Sequence, residues 1–299
     1  MPAKRSPLKA PIHFVLDWDG TITQKDTLDA LVSIAASSKP RFPILDRWKY
    51  VVDAYISDYT STLETLGPDG ALPTTIEGER KLLKDLKVME QRSLDRIFKA
   101  KIFEGVTQQQ IEEGAKKAIG KGDVALRPGY PNLVQCLTSN SSEMLHLLSV
   151  NWSRHFIASC NSAAGIQVGT SLILANELDG IVEGRPSSGH ISPDGDMKII
   201  ASDDKLQHLK EIKNSTPSPI VYVGDSWTDI ECLLAADLGI CIRDEPMGSS
   251  QKKLAGALER LGVACPHLSG WQEAGQSSIV WARDFVEIQE LVLRASSNG

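Results

Sequence analysis

The run Ile12-His13-Phe14-Val15-Leu16-Asp17-Trp18-Asp19-Gly20-Thr21 decides how this chain is read. Ile12 to Leu16 is a compact, β-prone apolar stretch that stops abruptly at a turn holding Asp and Gly. An apolar run without polar alternation predicts a strand buried on both faces, as in parallel α/β sheets. Ligands of such sheets bind beyond the carboxyl ends of strands. Asp17 and Asp19 stand at that end. Two carboxylates separated by a single residue can act there as a nucleophile and a neighbouring acid/base, while the Asp19 carbonyl can reach a hard metal ion. A plain Asp-Gly turn is the alternative.

Similar apolar runs recur at Met144–Leu148, Ile220–Val223 and Leu238–Ile242, most of them followed by polar or Gly-containing residues and a helical pattern. This βαβ alternation predicts an α/β fold with a Rossmann-like parallel sheet. From Thr27 to Leu126 the character changes to long helix-favouring stretches, Ile44–Leu66 and Ile76–Phe103, broken by Gly67-Pro68-Asp69-Gly70. We read 11–26 and 127–295 as the α/β core, 27–126 as an inserted all-helical domain, and 1–10 and 296–299 as flexible termini. Lys121-Gly122-Asp123 and Arg127-Pro128-Gly129 mark the return to the sheet. Leu172–Asp196, a strand-like ILANEL followed by turn-forming residues, predicts a hairpin. The tail from Ile279 predicts a last short strand and a closing helix.

The length of 299 residues allows one large domain with an insertion, or two domains, and 41% hydrophobic with 23% charged residues is ordinary for a globular protein. A formal charge of −6, with no Lys/Arg run among aromatics, argues against nucleic acid as a partner. An anionic small substrate stays possible, because helix N-termini and a metal make a site locally positive. Cys136, Cys160, Cys232, Cys241 and Cys265 show no C-x-x-C pairing and read as reduced thiols. No apolar run reaches the ~20 residues that span a membrane, and the basic N-terminus lacks a signal-peptide core. The expected location is cytoplasmic, with oligomeric state unread.

Three further stretches carry chemistry. Gly224-Asp225-Ser226-Trp227-Thr228-Asp229 follows the strand Ile220–Val223 directly. Ser226 with Asp229 also fits a helix capping box, but Asp225 lies outside the box and would join Asp17 in an oxygen-rich site suited to Mg²⁺. Lys205 follows Ser202-Asp203-Asp204, with Ser202 or Asp203 as the expected N-cap. A lysine in a first helical turn faces the positive end of the dipole, so something should compensate it: Asp17 together with a phosphate, or its neighbours Asp203 and Asp204; an exposed surface lysine is the plain alternative. Ser149 ends the strand Met144–Leu148, where its hydroxyl and the free N–H groups of the next helix could hold phosphate oxygens. A plain cap is the alternative. His13, His146, His155 and His190 lack metal spacing.

Asp-x-Asp-Gly-Thr, a strand-end Ser, a Lys and Gly-Asp-Ser-x-x-Asp, in that order, resemble the haloacid dehalogenase-like (HAD) superfamily. The helical insertion resembles the cap of its phosphoserine phosphatase-like branch. Residues 147–242 look most like thiamin monophosphate phosphatase domains of plants and their fungal relatives. The resemblance implies a Mg²⁺-dependent phosphatase acting on a small phosphate ester. Asp17 would form an aspartyl-phosphate and Asp19 would serve as acid and base. Ser149, Val150 and Lys205 would bind phosphate, and Asp17, Asp19 and Asp225 the metal, supported by Thr21, Gly224 and Asp229. Asp26, Asn151, Glu90 and Arg92, with Arg96, are candidate substrate contacts on or near the cap. Val150 and Asn151 stand where phosphoserine phosphatases carry glycines, which disfavours phosphoserine. Trp18 is bulkier than the usual residue between the aspartates and is expected to pack beneath the loop. A phosphotransferase or phosphomutase, or a non-catalytic binding protein, are the other readings.

Overall fold

The computed structural model describes residues 11–140, 144–193, 198–271 and 278–290. The strands, in chain order, are β1 (His13–Leu16), β2 (Leu145–Leu148), β3 (Ile173–Leu174), β4 (Asn176–Leu178), β5 (Ile191–Pro193), β6 (Ile220–Gly224), β7 (Leu238–Ile242) and β8 (Ile279–Ala282). The α-helices are α1 (Leu28–Ser38), α2 (Ile44–Leu66), α3 (Ile76–Lys99), α4 (Gln108–Lys121), α5 (Tyr130–Asn140), α6 (Arg154–Ala163), α7 (Ser202–Ser215), α8 (Ile230–Ala235) and α9 (Ser249–Arg260). By contact the described residues form two compact units, 11–24 with 126–148 and 205–290, and 25–125 with 149–204.

In the first unit the strand order is β2-β1-β6-β7-β8, and every neighbouring pair is parallel. β1, β6 and β7 are buried along their whole length, as apolar runs covered on both faces require. The expected parallel α/β sheet is therefore present. In β1, Leu16 pairs with Val223 of β6, so the residues that follow the two strands emerge side by side. After β8, residues 285–290 begin the expected closing helix, whose remainder lies outside the described residues.

The second unit carries α1 to α4 in 25–125, a stretch with a short 3-10 turn at Pro68–Gly70 and no strand. Thr75 caps α3 by accepting from Gly78 N, and a Thr107/Gln110 capping box opens α4, which ends at left-handed Gly122. The helix expected over Ile76–Phe103 ends at Lys99. Lys101 takes a left-handed φ of 56°. The Lys39 ammonium captures the carbonyls of Lys101, Ile102 and Glu104, and Ile102 and Phe103 turn inward and are fully buried. The expected hairpin also forms, β4 running antiparallel to β5. Its ILANEL strand is cut at Ala175, because the chain changes partner there: Leu174 accepts from Ser149 N, whereas Asn176 onward pairs with β5.

Gly129, at the entry to α5, has φ +82°, and a Cβ there would fall on the backbone of Phe285 and Val286. We expect Gly129→Ala to destabilise the protein by about 2–4 kcal/mol through strain and clash together. Gly105→Ala is the control, with φ +79° and open space around it, and should show only the backbone share of that cost. Urea denaturation of both variants checks this; equal losses would refute the clash.

Candidate active site

Asp17 leaves the end of β1 with its N–H bonded to Val223 O of β6 at 2.9 Å, and Asp225 leaves the end of β6. Lys205, in the first turn of α7, sends its ammonium to Asp17 Oδ1 at 2.6 Å and to Asp229 Oδ1 at 2.7 Å. All four side chains are buried. One carboxylate oxygen from each of Asp17, Asp225 and Asp229 lies within 4.8 Å of the others. Lys205 is thus no exposed surface lysine but is buried and compensated by Asp17, as one of its readings required, and by Asp229. Asp203 and Asp204 pair instead with Lys87. Asp204 Oδ2 also accepts from the N–H groups of Ile200 and Ala201, and α7 starts at Ser202, so Ser202 and Asp203 lie inside the helix rather than at the expected N-cap.

The turn after Asp17 is shaped by Asp225. Gly20 has φ +75°, and a Cβ there would sit 2.5 Å from Asp225 Oδ2. Only glycine lets the loop come this close. Thr21 Oγ1 donates to Asp225 Oδ1 at 3.3 Å, and Ser250 Oγ of α9 donates to Asp225 Oδ2 at 2.9 Å. Trp18 is fully buried, while Asp19 stays half-buried. Asp229 folds back toward β6, where a side chain at Gly224 would come within 2.5 Å of its carboxyl carbon. Its Oδ1 takes Lys205 and the Tyr222 hydroxyl at 2.6 Å, and its Oδ2 takes Asp225 N, Ser226 N and Ser226 Oγ.

These surroundings divide the three acids. Burial pushes the Asp17 carboxyl well above the ordinary carboxylate range; Lys205 opposes this, while Asp229 and Asp225 add to it. Burial and Asp229 push Asp225 up to about 7, against Ser250, Lys205 and Thr21. Burial would raise Asp229 too, but Lys205, Tyr222 and the Ser226 N–H outweigh it and hold Asp229 below its usual value. Burial disfavours the Lys205 ammonium, yet Asp17 and Asp229 hold it charged. With three carboxylates around a single ammonium, the cluster carries excess negative charge. Its donors are hard oxygens, and such a set fits a divalent cation of the Mg²⁺ type.

Asp17, Thr21, Lys205, Gly224, Asp225 and Asp229 therefore come together in the first unit. Ser149, Val150, Asn151, Asp26, Glu90 and Arg92 belong to the second. There Ser149 is buried and its Oγ accepts from Asn151 N at 3.0 Å. Of the N–H groups at the start of the following helix, two are taken: Ser153, not Ser149, caps α6 through Phe156 N, and Glu177 takes His155 N at 2.7 Å. Val150 is half-buried, and buried Asn151 reaches Thr27 Oγ1 at 3.2 Å. Asp26 Oδ1 accepts from Leu28 N at the start of α1. Glu90 accepts from the Tyr55 hydroxyl at 3.0 Å, whereas Arg92 and Arg96 pair with Asp58. Among the histidines, His13 stacks on and bonds to His146, His155 pairs with Glu112, and His190 stacks on Phe98. All five cysteines are free thiols. Among the described residues, no helix is long and apolar enough to cross a membrane.

Sequence reading missed two contributors. Tyr222 lies inside an apolar strand run and reads there as core, and Ser250 sits on α9 with no local signal that ties it to Asp225.

No family model matches the chain. It is 26% identical over 239 residues to a CTO1 family protein of Schizosaccharomyces pombe, covering 77% of this chain and 81% of that one. It is also 26% identical over 267 residues to the mitochondrial bifunctional TH2 protein of Arabidopsis thaliana, covering 81% of this chain but 41% of that protein. A phosphoserine phosphatase solved as a phospho-aspartyl intermediate analogue superposes with a TM-score of 0.52 at 15% identity, covering 95% of this chain and 99% of the other. At that identity the likeness is one of fold. The chain has the phosphoserine phosphatase-type fold that its motifs led us to expect.

Lys205→Met should leave Asp17 and Asp229 buried without their counter-charge, at a cost of about 3–5 kcal/mol. Urea denaturation in EDTA at pH 8 reads this loss, which should shrink at pH 5 as the carboxyls take up protons. Identical midpoints at pH 8 would refute the bridge. Burial pushes Glu90 up to about 7 from an ordinary value of 4.5, against the lowering effect of the Tyr55 hydroxyl. Since the folded pKa is the higher one, the stability that this side chain contributes is complete below about pH 4.5 and is lost as pH rises through about 7. Glu90→Gln should therefore exceed the parent at pH 8 by on the order of 2 kcal/mol, discounted for partial exposure, and match it at pH 4. A difference that does not vary with pH would count against burial as the cause.

Proposed function

We propose that this protein is a Mg²⁺-dependent phosphatase that hydrolyses a small-molecule phosphate monoester through an aspartyl-phosphate on Asp17. The observation that carries this reading is the buried Lys205 bridge between Asp17 and Asp229, with Asp225 beside it, at the ends of neighbouring parallel strands. Phosphoryl transfer is accelerated mainly by positioning and charge stabilisation, and this arrangement supplies both.

In the first step an Asp17 carboxylate oxygen attacks phosphorus while the bond from phosphorus to the ester oxygen breaks. Asp19 gives its proton to the departing oxygen. Water then attacks the phosphorus of the aspartyl-phosphate, Asp19 takes the water's proton, and the bond from phosphorus to Asp17 breaks. Inorganic phosphate leaves with both carboxyl groups restored. Lys205 favours the ionised form of Asp17 against the pull of burial and offers positive charge to the phosphoryl group. Asp229 orients Lys205 and does not react. Mg²⁺, held by Asp17, the Asp19 carbonyl and Asp225, would supply charge neutralisation for the phosphoryl oxygens.

From the sequence resemblance we further assign phosphate binding to Ser149 and the Val150 backbone, and substrate contacts to Asp26, Asn151, Glu90 and Arg92. The likeness of residues 147–242 to thiamin monophosphate phosphatases makes thiamin monophosphate the favoured substrate.

Hydrolysis of p-nitrophenyl phosphate tests the chemistry. We expect turnover with Mg²⁺, none in EDTA, and a loss of at least about 10³-fold in Asp17→Asn. Full activity in either case would end the mechanism. A panel of metabolite phosphates tests the substrate: thiamin monophosphate should have the highest kcat/KM, and a flat panel would remove that assignment.

A further inference from the structure

Arg127 directly follows Leu126, which bridges to Thr23, and its side chain is buried to within 4% of full enclosure. A guanidinium is expensive to bury unless every part of its donor fork is used. Here main chain and side chain together hold one short stretch of backbone. Arg127 N donates to Ile22 O at 2.8 Å, Nε to Thr21 O at 3.0 Å and Nη2 to Gly20 O at 2.8 Å. These are three consecutive carbonyls of the turn that carries Asp17 and Asp19. Nη1 completes the fork with Asp244 Oδ1 at 2.5 Å and Arg283 O at 3.3 Å.

Asp244 is in turn held by α9. Burial would raise its carboxyl, but the bonds from Arg127 and Gln251 outweigh this and hold it below the ordinary range. Gln251 Nε2 donates to Asp244 Oδ2 at 2.7 Å, and Gln251 Oε1 accepts from Asp244 N at 2.9 Å. Gln251 is the neighbour on α9 of Ser250, which donates to Asp225 Oδ2. Adjacent residues of α9 thus hold the Arg127 anchor on one side and Asp225 on the other.

We propose that Arg127, anchored by Asp244, is the positioning residue of the catalytic turn, fixing where the Asp17–Gly20 backbone stands relative to Asp225 and so setting the affinity for the divalent cation. This rests on reading the cluster as a cation-dependent phosphatase site. Lysine cannot replace Arg127, because a single ammonium cannot reach three carbonyls and a carboxylate in a plane. Loss of such a supporting contact typically costs 10–100-fold in metal affinity or activity.

The test is Mg²⁺ binding by calorimetry to the full chain, which needs no turnover and so separates this inference from the proposed activity. Arg127→Lys should bind Mg²⁺ about tenfold or more weakly than the parent, with p-nitrophenyl phosphate kcat falling by about 10-fold or more and KM moving little. Asp244→Asn, which keeps Arg127 but loosens its anchor, should shift in the same direction by less and covers the case in which Arg127→Lys does not fold. In Arg127→Ala, guanidinium far below denaturing concentrations should restore part of the affinity, which a merely weakened fold would not show. Unchanged Mg²⁺ affinity in Arg127→Lys or, if that variant does not fold, in Asp244→Asn overturns the proposal, as does a parent protein that binds no Mg²⁺. Weakened binding without any phosphatase activity in the parent would leave it standing and remove the proposed function instead.

Discussion

A single ammonium group, Lys205, sits between two buried carboxylates, and a third lies within reach of both. Away from water the repulsion among three such acids is severe, and one lysine cannot cancel it. Two outcomes are open to a cluster of this kind: the acids take up protons, or a cation joins them. The upward shifts of Asp17 and Asp225 describe the first outcome. A hard divalent ion would bring the second. The surrounding fold therefore has to hold the acids together against their own repulsion, and much of its detail serves that end.

The sheet does most of this holding. The pairing of Leu16 with Val223 fixes where β1 and β6 end, and the bond from Asp17 N to Val223 O extends the ladder one residue into the site. Beyond that point the sheet ladder stops, and the turn at Trp18–Ile22 is broken by non-helical backbone at Asp19 and Gly20, so carbonyls and carboxylates there need partners of their own. Arg127 supplies the partners for Gly20, Thr21 and Ile22, and Ser250 and Thr21 supply those for Asp225. Rigid elements thus deliver the chemistry-bearing residues, and side chains from distant parts of the same unit hold the irregular turn.

That division explains what was legible in the sequence. Buried parallel strands leave an unbroken apolar run, so β7 is found at Leu238–Ile242 as expected, and the residues that follow β1 and β6 announce themselves as acids after a run of Ile, Val and Leu. Lys205 was legible through its misfit, a cation in the first turn of a helix. Contacts that join distant residues leave no such local trace. Arg127 reads as part of a turn before Pro128, and Tyr222 as one more core residue. The early end of α3 depends on Lys39, and the break at Ala175 on a change of strand partner. Ser149 stands out in the sequence as the serine at a strand end, and of its two readings the plain cap is excluded, since Ser153, four residues on, caps α6.

The three acids look alike in sequence and lie at similar depth, yet their bonding separates them. Asp229 takes five donors on its two oxygens, which exceeds the roughly four lone-pair sites a carboxylate offers. Its oxygens are already engaged by protein donors, and its lowered pKa fits an ion stabilised by those bonds. Asp225 takes one hydroxyl on each oxygen, and Asp17 shares one oxygen with Lys205. Spare acceptor capacity and upward shifts therefore coincide on Asp17 and Asp225 and are missing together on Asp229. An acid whose bonds are complete is a structural support, whereas those left short of partners and charge compensation are where a cation and a reacting phosphoryl group gain most. By this criterion the proposed chemistry falls to Asp17 and Asp225, while Asp229 bonds to the Lys205 that also bonds to Asp17.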